Sequence, residues 1–593
     1  MKVCLLFPPI SDPRGPHLAP AALAAALRAA GCEVSIKDID LEMALYLLNP
    51  VTLKEHLQKA AAKLKSLDIH QEGADWETLT WRQRLSQCFT DAGEVIPNIT
   101  EHLQVLNGNK FYDRRAYFAA RKAIDSALDL ICAVYDYSLR YKMDGQVFAT
   151  RYREYRLDEL LQAVENPEAN LFGSFYPSAV IPEIRAENPD LVGISILNFQ
   201  QIIPGLTLAK QLKEIGLRVV IGGTVYTKFV ESLKKAPEFF SLCDAIAVYE
   251  GETAITALVQ AIEKNPAKPD LSSVPNILWF DGKNVRVNEP FQAEDLAQLP
   301  TPDFNGLPLD SYLAPSRVLP YNLGKGCYWN RCRFCEIPFI NNLAESSYRI
   351  KPAELIVDQL QELSQRFETP YFQFTDESCA PELLEEIAEI VIERNLRLRY
   401  LCYARLEKWF TAPRFKKLYQ SGLRKLMFGL ESGSDHTLKK INKGITAAQA
   451  EKVLLKCREA GVKFRLFVIL GFPGETIEHA WETRNFLRRM APLLRDPHNS
   501  VEVNLFHLDS NSCYGKHSAE FGISGQEKES GEFYLGGDRF RCSEGMDKQT
   551  LHQFIGEVRK ELYQLADVPL KHSGWEEYSL LTICHEEDAK VNS

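Results

Sequence analysis

Short apolar runs alternate with segments of helical periodicity near the start of the chain and again from about residue 190. Residues 2–8 (KVCLLFP) predict a buried strand, followed by a Pro/Gly loop and an Ala/Leu-rich helix from about Pro20 to Ala30. Further strand-like runs lie at Glu33–Ile39, Leu191–Leu197, Arg218–Gly222 and Asp244–Val248. Because strands that alternate with helices form parallel sheets, residues 1–270 are predicted to form a doubly wound, Rossmann-like α/β domain.

A long helical pattern interrupts this domain. Residues 42–180 are rich in Leu, Ala, Lys, Glu and Arg at helical spacing and contain few Gly, which predicts a helical insertion. Residues 271–317 are rich in Pro and are interpreted as a linker, within which Asp281-Gly282 predicts a tight hairpin turn.

A second strand-helix series follows from residue 318 to residue 507. Its predicted strands are a run before Gly324 and the segments Tyr371–Thr375, Leu398–Tyr403, Lys425–Leu430, Lys463–Leu470 and Val501–Phe506. Six strands with five intervening helices predict a partial (β/α)6 barrel, whose active site belongs at the carboxyl ends of the strands. Residues 508–593 are left as a small C-terminal region without an assigned fold.

Composition narrows the class of protein. The chain is 45% hydrophobic and 25% charged over 593 residues, typical of a folded protein with more than one core. Its net charge of −10 gives no broad attraction to phosphate backbones, so no nucleic acid partner is expected. The sequence shows neither a signal peptide pattern nor an apolar stretch of membrane-spanning length, and we expect a cytoplasmic protein.

Three of the 14 cysteines crowd into nine residues of one loop. Cys327, Cys332 and Cys335 follow the Gly324-Lys325-Gly326 segment, directly after a predicted strand. Closely spaced thiolates are typical iron-sulfur ligands. A zinc site is an alternative, although it needs a fourth Cys or His, which the loop lacks; a redox-active Cys332-x-x-Cys335 pair is another, although it leaves Cys327 unexplained.

The loop resembles the cluster motif of the radical S-adenosylmethionine (SAM) superfamily, with four residues rather than the commoner three between its first two cysteines. Four later motifs resemble the cobalamin-associated branch of that superfamily: Thr375-Asp376-Glu377, Gly429-Leu430-Glu431-Ser432-Gly433, Lys443-Gly444 and Gly471-Phe472-Pro473-Gly474-Glu475-Thr476. Each lies at or just after a predicted strand end, where barrel active sites belong.

The resemblance implies that the three cysteines bind a [4Fe-4S] cluster whose fourth iron binds SAM. Reductive cleavage of SAM would then yield methionine and a 5′-deoxyadenosyl radical. The residues that it implies as SAM contacts are Phe334, Asp376, Glu377, Arg405, Glu431, Leu470 and Gly471. Cys379, close to the predicted active site, is a speculative hydrogen donor to a substrate radical.

The first domain resembles the cobalamin-binding domain that is joined to many radical SAM enzymes. It lacks the G-x-G-x-x-G of dinucleotide sites, and His17 lacks the D-x-H-x-x-G spacing of a cobalt ligand, so His17 is expected to be an ordinary loop residue. The resemblance implies a cobalamin site at the strand ends, formed by Ser195, Gly222, Gly223, Thr224, Tyr249, Glu250 and Gly251.

The expected activity is that of a cobalamin-dependent methyltransferase acting on an unactivated carbon. A cobalamin-dependent rearrangement, cyclisation or oxidation without methyl transfer is the alternative, and a non-catalytic iron-sulfur protein is a second. The expected partners are a small-molecule or peptide substrate and an external electron donor of the flavodoxin or ferredoxin type. The motifs do not identify the substrate.

Overall fold

A computed structural model of the protein describes residues 1–67, 75–143, 147–153, 156–166, 169–344, 348–524, 540–566 and 579–591. These residues divide into two compact units. The first comprises Met1–Glu294 and Pro300–Arg317, and the second comprises Asp295–Leu299 and the described residues from Val318 onward. Within the described residues, no helix has both the length and the apolar character needed to cross a membrane.

The first unit contains nine strands and twelve α-helices among its described residues. In chain order these are β1 (Lys2–Phe7), α1 (Leu18–Ala29), β2 (Glu33–Asp38), α2 (Ile39–Leu47), α3 (Pro50–Ser66), α4 (Trp76–Asn107), α5 (Arg114–Tyr135), β3 (Arg140–Tyr141), β4 (Phe148–Ala149), α6 (Leu157–Glu165), α7 (Leu171–Phe175), α8 (Ile181–Glu187), β5 (Leu191–Ser195), α9 (Ile202–Glu214), β6 (Val219–Gly222), α10 (Thr224–Thr227), α11 (Val230–Leu233), β7 (Ala245–Ala247), α12 (Glu252–Lys264), β8 (Ile277–Phe280) and β9 (Val285–Val287).

One seven-stranded sheet organises this unit, in the order β2-β1-β5-β6-β7-β8-β9. The strands β2, β1, β5, β6 and β7 are parallel to one another. The apolar, buried runs of β1, β5 and β6 are typical of strands covered on both faces. The chain passes from β1 to β2 on one side and later returns to β5 on the other. This reversal, between β1 and β5, is the position at which doubly wound sheets bind ligands. The structure confirms the predicted α/β class.

The segment 271–317, predicted as a linker, contributes two strands to the sheet of the first unit. β8 and β9 form the predicted hairpin, and β8 pairs antiparallel with β7, so the pair extends the sheet. The reason is that β7 would otherwise expose a strand edge, while Ile277 and Leu278 are apolar and become buried there. Further along, the backbone N–H of Leu313 donates to the Pro13 carbonyl at 3.0 Å. These contacts place 271–294 and 300–317 within the first unit.

The described residues between 42 and 180 are mainly helical, as the sequence predicts. Helices α3, α4 and α5 pack against one another. Asn49, Asp75 and Asp113 accept hydrogen bonds from backbone N–H groups at the starts of these three helices. Buried residues such as Ile99 and Ile124 form their common core.

The second unit carries the remaining elements. In chain order these are β10 (Val318–Tyr321), β11 (Gly324–Lys325), α13 (Ile337–Asn341), β12 (Arg349–Ile350), α14 (Ala353–Arg366), β13 (Tyr371–Phe374), α15 (Pro381–Glu393), β14 (Arg399–Ala404), α16 (Ala412–Ser421), β15 (Leu423–Glu431), α17 (Asp435–Lys440), α18 (Ala447–Glu459), β16 (Lys463–Leu470), α19 (Ile477–Leu494), β17 (Ser500–Leu505), α20 (Cys513–Lys516), β18 (Ile523–Ser524), β19 (Arg541–Cys542), α21 (Lys548–Ala566) and α22 (Ser579–Val591).

Six parallel strands form the sheet of this unit in the order β10-β13-β14-β15-β16-β17, so neighbours in the sheet follow one another along the chain. All six predicted strand positions are confirmed within a few residues. Because β10 and β17 do not pair with each other, the sheet is open, as in a partial barrel.

Helix α22, in the C-terminal region that the sequence left unassigned, packs on this sheet. Leu580 and Cys584 are buried against Leu401 of β14 and Met427 of β15. Arg424 at the start of β15 donates to Glu587 of α22 at 2.6 Å. The last described helix therefore contributes to the core of the second unit.

Candidate functional site

The three clustered cysteines lie on the loop that follows β11. The loop turns at Gly326, which has a φ of +88°. A Cβ there would lie 2.5 Å from Asn341 Oδ1, and the Asn341 amide in turn donates to the Asn330 side chain at 2.9 Å. Glycine is required at position 326 for both conformation and space.

A second segment, Lys440–Gly444, holds this loop from the side. Trp329 Nε1 donates to the Asn442 carbonyl at 2.9 Å, and the Arg333 N–H donates to the Ile441 carbonyl at 3.0 Å. A Cβ on Gly444 would lie 2.2 Å from the Trp329 ring. The glycine of the Lys443-Gly444 motif therefore allows the indole to pack on the backbone.

The thiols of the loop lie within electrostatic range of one another. Burial raises the pKa of Cys335 to about 12, and the neighbouring thiols of Cys332 and Cys327 raise it further, although a backbone N–H at residue 337 opposes them. Burial also raises the pKa of Cys332, against the positive charges of Lys443 and Arg405. Metal binding would therefore have to supply the energy of deprotonating these thiols.

This donor set fits a polynuclear cluster better than a single ion. In the described part of the chain, no group of three His, Cys, Asp or Glu side chains is close enough to hold one metal ion. Thiolates of a [4Fe-4S] cluster each bind a different iron, so they need not converge on one point. Cys379, the next cysteine along the chain, is buried and its thiol hydrogen-bonds to that of Cys402.

A buried ion pair lies at the end of β15. Glu431 has a φ of +66°, and the pairing of β15 with β16 shifts register just before it. Lys443 Nζ donates to Glu431 Oε1 at 2.8 Å, and both residues are at least 93% buried. A Cβ on Gly429 would lie 2.4 Å from Glu431 Oε1 and 2.8 Å from Lys443 Nζ. Gly429 therefore leaves the space that this pair occupies.

Arg405, just after β14, joins this pair to the cysteine loop. Its guanidinium lies 4.3 Å above the centre of the Trp329 ring, a cation–π contact. Nη2 donates to the backbone carbonyl of Lys443, and Nε donates to Glu407 at 2.9 Å. Arg405 thus has protein partners on each side while remaining buried.

The two acidic residues after β13 have different surroundings. Asp376 is buried and accepts the backbone N–H groups of Leu323 and Gly324 at 2.9 and 2.8 Å. Burial raises the pKa of its carboxyl to about 7. Glu377 is exposed. Asp376 therefore fixes the start of the cysteine loop to β13, and both residues remain predicted SAM contacts.

The segment after β16 forms a tight turn. Gly471 has a φ of +90°, and its N–H donates to Glu475 Oε2 at 2.6 Å. Burial raises the pKa of Glu475 to about 7, despite this bond. Phe334, from the cysteine loop, packs edge-on against Phe472 with ring centres 5.3 Å apart. The turn thus lies beside Phe334, one of the predicted SAM contacts.

In the first unit, the residues predicted to bind cobalamin share the carboxyl edge of the sheet. Ser195 ends β5, Gly222–Thr224 follow or end β6, and Tyr249–Gly251 follow β7. A Cβ on Gly223, whose φ is +136°, would lie 1.8 Å from the Ile196 carbonyl oxygen. That glycine is thus required by packing within the protein.

Tyr249 and Glu250, at the same edge of the sheet, also form hydrogen bonds with other residues of the first unit. Tyr249 has a φ of +65°, and its N–H donates to Thr227 Oγ1 at 2.8 Å. The buried Glu250 carboxylate accepts the Glu294 N–H at 2.6 Å. These bonds shape the edge, and the cobalamin contacts remain predictions.

His17 lies immediately before α1, at the carboxyl end of β1. Its ring stacks on Phe7 with centres 3.7 Å apart. Nε2 is buried and has no hydrogen-bond partner among the described residues. Burial lowers the pKa of His17, so the ring is neutral near pH 7. A polar atom without a partner at this edge is compatible with a bound ligand.

Comparison with known proteins identifies the second unit. Residues 321–487, which include the cysteine loop and the strand ends described above, match the model of the radical SAM superfamily. The second unit therefore contains a radical SAM domain. Such a domain implies a [4Fe-4S] cluster and SAM, in agreement with the donor set of the loop.

The chain is 26% identical over 317 residues to an uncharacterized methyltransferase of Pyrococcus horikoshii. That match covers 52% of this chain and 66% of the relative, just under two thirds of the relative's length. Its fold also resembles that of TsrM from Kitasatospora setae, a radical SAM methyltransferase solved with cobalamin and a [4Fe-4S] cluster, with a TM-score of 0.54 at 15% identity over 99% of both chains. A third relative is OxsB, a cobalamin-dependent SAM radical enzyme, with a TM-score of 0.53 at 16% identity over 71% of this chain and 68% of OxsB.

Two features of the radical SAM unit escaped prediction. The sequence places Lys443 twelve residues from Glu431, and no helical or strand periodicity pairs them. The sequence also gave no indication that Trp329 of the cysteine loop packs on Gly444. The glycines at 429 and 444 were the available clues, because each leaves room for one of these side chains.

Proposed function

We propose that this radical SAM protein is a cobalamin-dependent methyltransferase that acts on an unactivated carbon. The observation that carries the proposal is the cysteine loop: three thiols share one loop, and the next cysteine along the chain, Cys379, lies buried beyond β13. A cluster held by three protein thiols keeps one iron for SAM.

Cys327, Cys332 and Cys335 would hold the cluster. When bound, the cluster supplies the electron that cleaves SAM into methionine and a 5′-deoxyadenosyl radical. Phe334 would border the adenine, and Glu377, Arg405 and Glu431 would contact SAM along with Asp376 and the Leu470–Gly471 backbone. The hydrogen bonds between the cysteine loop and the segment Lys440–Gly444 would keep the loop in position while SAM binds.

Cobalamin would bind at the carboxyl edge of the sheet in the first unit. Three observations favour this: the reversal of strand order between β1 and β5, the unpartnered Nε2 of His17, and the fold shared with two proteins solved with cobalamin bound. Ser195, Gly222–Thr224 and Tyr249–Gly251 would contact it. Bound cobalamin supplies a methyl group to a carbon-centred substrate radical.

A reaction without methyl transfer is the second candidate, because the fold also resembles that of OxsB, a cobalamin-dependent SAM radical enzyme whose name specifies no methyl transfer. The two candidates differ in what becomes of SAM. Methylation consumes a second SAM to recharge cobalamin and yields S-adenosylhomocysteine, whereas a rearrangement, cyclisation or oxidation does not.

The test begins with anaerobic purification from cells supplied with cobalamin, followed by iron, sulfide and corrinoid analysis. We expect about four irons and one corrinoid per chain. The reduced protein is then incubated with SAM and candidate substrates, and the products are identified by mass spectrometry. Formation of 5′-deoxyadenosine together with S-adenosylhomocysteine supports methyl transfer. 5′-Deoxyadenosine formed with product but without S-adenosylhomocysteine supports the second candidate, and absence of corrinoid contradicts both.

A further inference from the structure

The ion pair between Lys443 and Glu431 is buried beside the cysteine loop. The ammonium and the carboxylate lie 2.8 Å apart, and the two side chains are only 8% and 9% exposed. Charges held in such surroundings are weakly screened, so each acts strongly on its neighbours. The missing Cβ of Gly429 provides the space for both groups.

Lys443 is also fixed through its backbone. Its N–H donates to the Leu438 carbonyl at 2.9 Å, and its carbonyl accepts from Arg405, which stacks on Trp329. The ammonium therefore has a defined position relative to the loop that carries the cysteines. A solvated lysine would instead move freely and be screened by water.

The charged side chains beside the cysteine loop form two ion pairs. Lys443 pairs with Glu431 at 2.8 Å, and Arg405 pairs with Glu407 at 2.9 Å. Reduction of an iron-sulfur cluster adds one negative charge, and nearby charges and hydrogen bonds adjust its reduction potential. Removal of one member of a pair therefore leaves an unbalanced charge beside the loop.

We propose that Lys443 is a positioning residue with two roles: it holds Glu431 in place for SAM, and its fixed positive charge stabilises the reduced cluster. This inference rests on the proposed function, because it requires the [4Fe-4S] cluster at Cys327, Cys332 and Cys335. It assigns to Lys443 a role distinct from that of Glu431, since the two side chains shift the reduction potential in opposite directions.

The test is an anaerobic redox titration of the cluster, followed by electron paramagnetic resonance. Lys443→Met removes a positive charge and should move the potential to more negative values. Glu431→Gln keeps a hydrogen-bond acceptor but removes a negative charge, so it should move the potential to more positive values. The double variant should lie between the two, and Lys439→Met, which removes an exposed lysine from α17, should match the wild type.

Binding of SAM provides a second readout that does not depend on turnover. The change that SAM causes in the spectrum of the reduced cluster is titrated for each variant. Loss of a residue that positions a ligand-contacting group typically weakens binding about 10- to 100-fold. We expect that range for Lys443→Met, and a smaller loss for Lys443→Arg, which keeps the charge.

Unchanged potentials in both single variants, or shifts of the same sign, would overturn the inference. If Lys443→Met does not load its cluster, the reduction potential of Glu431→Gln is the deciding measurement. A potential in Glu431→Gln that is equal to or below the wild-type value rejects the charge role. A wild-type protein that loads no SAM-responsive cluster instead contradicts the proposed function. The two failures are therefore distinguishable.

Discussion

The carboxyl edges of the two sheets, where the predicted SAM and cobalamin contacts lie, differ in which residues their motifs contact. In the radical SAM unit, residues from separate motifs contact one another: Trp329 packs over Gly444, and Lys443 pairs with Glu431. In the first unit, the glycine and acidic residues at the strand ends contact nearby backbone of the same unit. Gly223 packs against the Ile196 carbonyl, and Glu250 accepts the Glu294 N–H. A motif whose members converge indicates a site more strongly than one that local packing explains.

The largest effect is expected at the cysteine loop. Alanine at Cys327, Cys332 or Cys335 removes one of the three proposed thiolate ligands, so each variant should lose the [4Fe-4S] absorbance and form no 5′-deoxyadenosine. Cys32→Ala, at a partly exposed cysteine of the first unit, is the control and should retain both. Wild-type iron content in all three loop variants would contradict the assignment.

The next effect separates packing from ligand binding in the first unit. Gly223→Ala places a methyl group 1.8 Å from a backbone oxygen, so we expect a loss of several kcal/mol in unfolding free energy. Gly216→Ala is the matched control, since its φ is +87° but nothing lies within 4 Å of the added atom. It should cost only about 1–2 kcal/mol of conformational strain. Thermal unfolding without cobalamin measures both, and equal losses would show that the close approach has no energetic consequence.

A smaller effect is expected at the corresponding glycine of the radical SAM unit. In Gly444→Ala the new methyl group would meet the Trp329 ring at 2.2 Å, and a side chain can move where a backbone carbonyl cannot. We expect the loop to shift and SAM binding to weaken by about tenfold, with a modest change in stability. Gly461→Ala, also at positive φ but with its nearest neighbour at 3.6 Å, should leave SAM binding unchanged.

The last effect is a gradual dependence of stability on pH. Burial raises the pKa of Glu475 from 4.5 to about 7, so the folded protein holds this proton more tightly than the unfolded chain. Stability from this group is therefore greatest below about pH 4.5 and declines as pH rises to about 7, by up to about 1.4 kcal/mol per pH unit.

Glu475→Gln removes that titration and should flatten the curve in this window. Exposed Glu478→Gln, on α19, is the control and should leave the curve unchanged between pH 5 and pH 7. Chemical unfolding measured across the pH range tests the difference. An unchanged slope in Glu475→Gln would show that this carboxyl is not buried as described.

The sequence predicted the six strands of the radical SAM sheet because each is a short apolar run that ends at a recognisable motif. It did not predict that Ile277 and Leu278 would extend the first sheet, since strand pairing over such a hairpin depends on an edge that only the fold supplies. Nor did it predict the packing of Leu580 in α22 on the second sheet, which lies more than 150 residues from its partner Met427. Long-range packing of this kind leaves no local pattern.

At the candidate site, the cysteine spacing favoured an iron-sulfur site over zinc or a redox pair, and the resemblance of the loop and the later motifs to the radical SAM superfamily predicted the [4Fe-4S] cluster. The two oxygens of Asp376 were not predicted to bind the backbone of the cysteine loop, because a carboxylate at a strand end looks the same in sequence whether it meets a ligand or an N–H group. Positive φ at Glu431 was equally hidden, since glutamate gives no indication of that conformation.

The most direct test of the account is the electron paramagnetic resonance spectrum of the anaerobically purified, reduced protein before and after addition of SAM. The account predicts a signal of a reduced [4Fe-4S] cluster that changes when SAM binds to the open iron, and no such signal in Cys332→Ala. A protein that contains zinc instead of iron, or a cluster signal that SAM leaves unchanged, would contradict it.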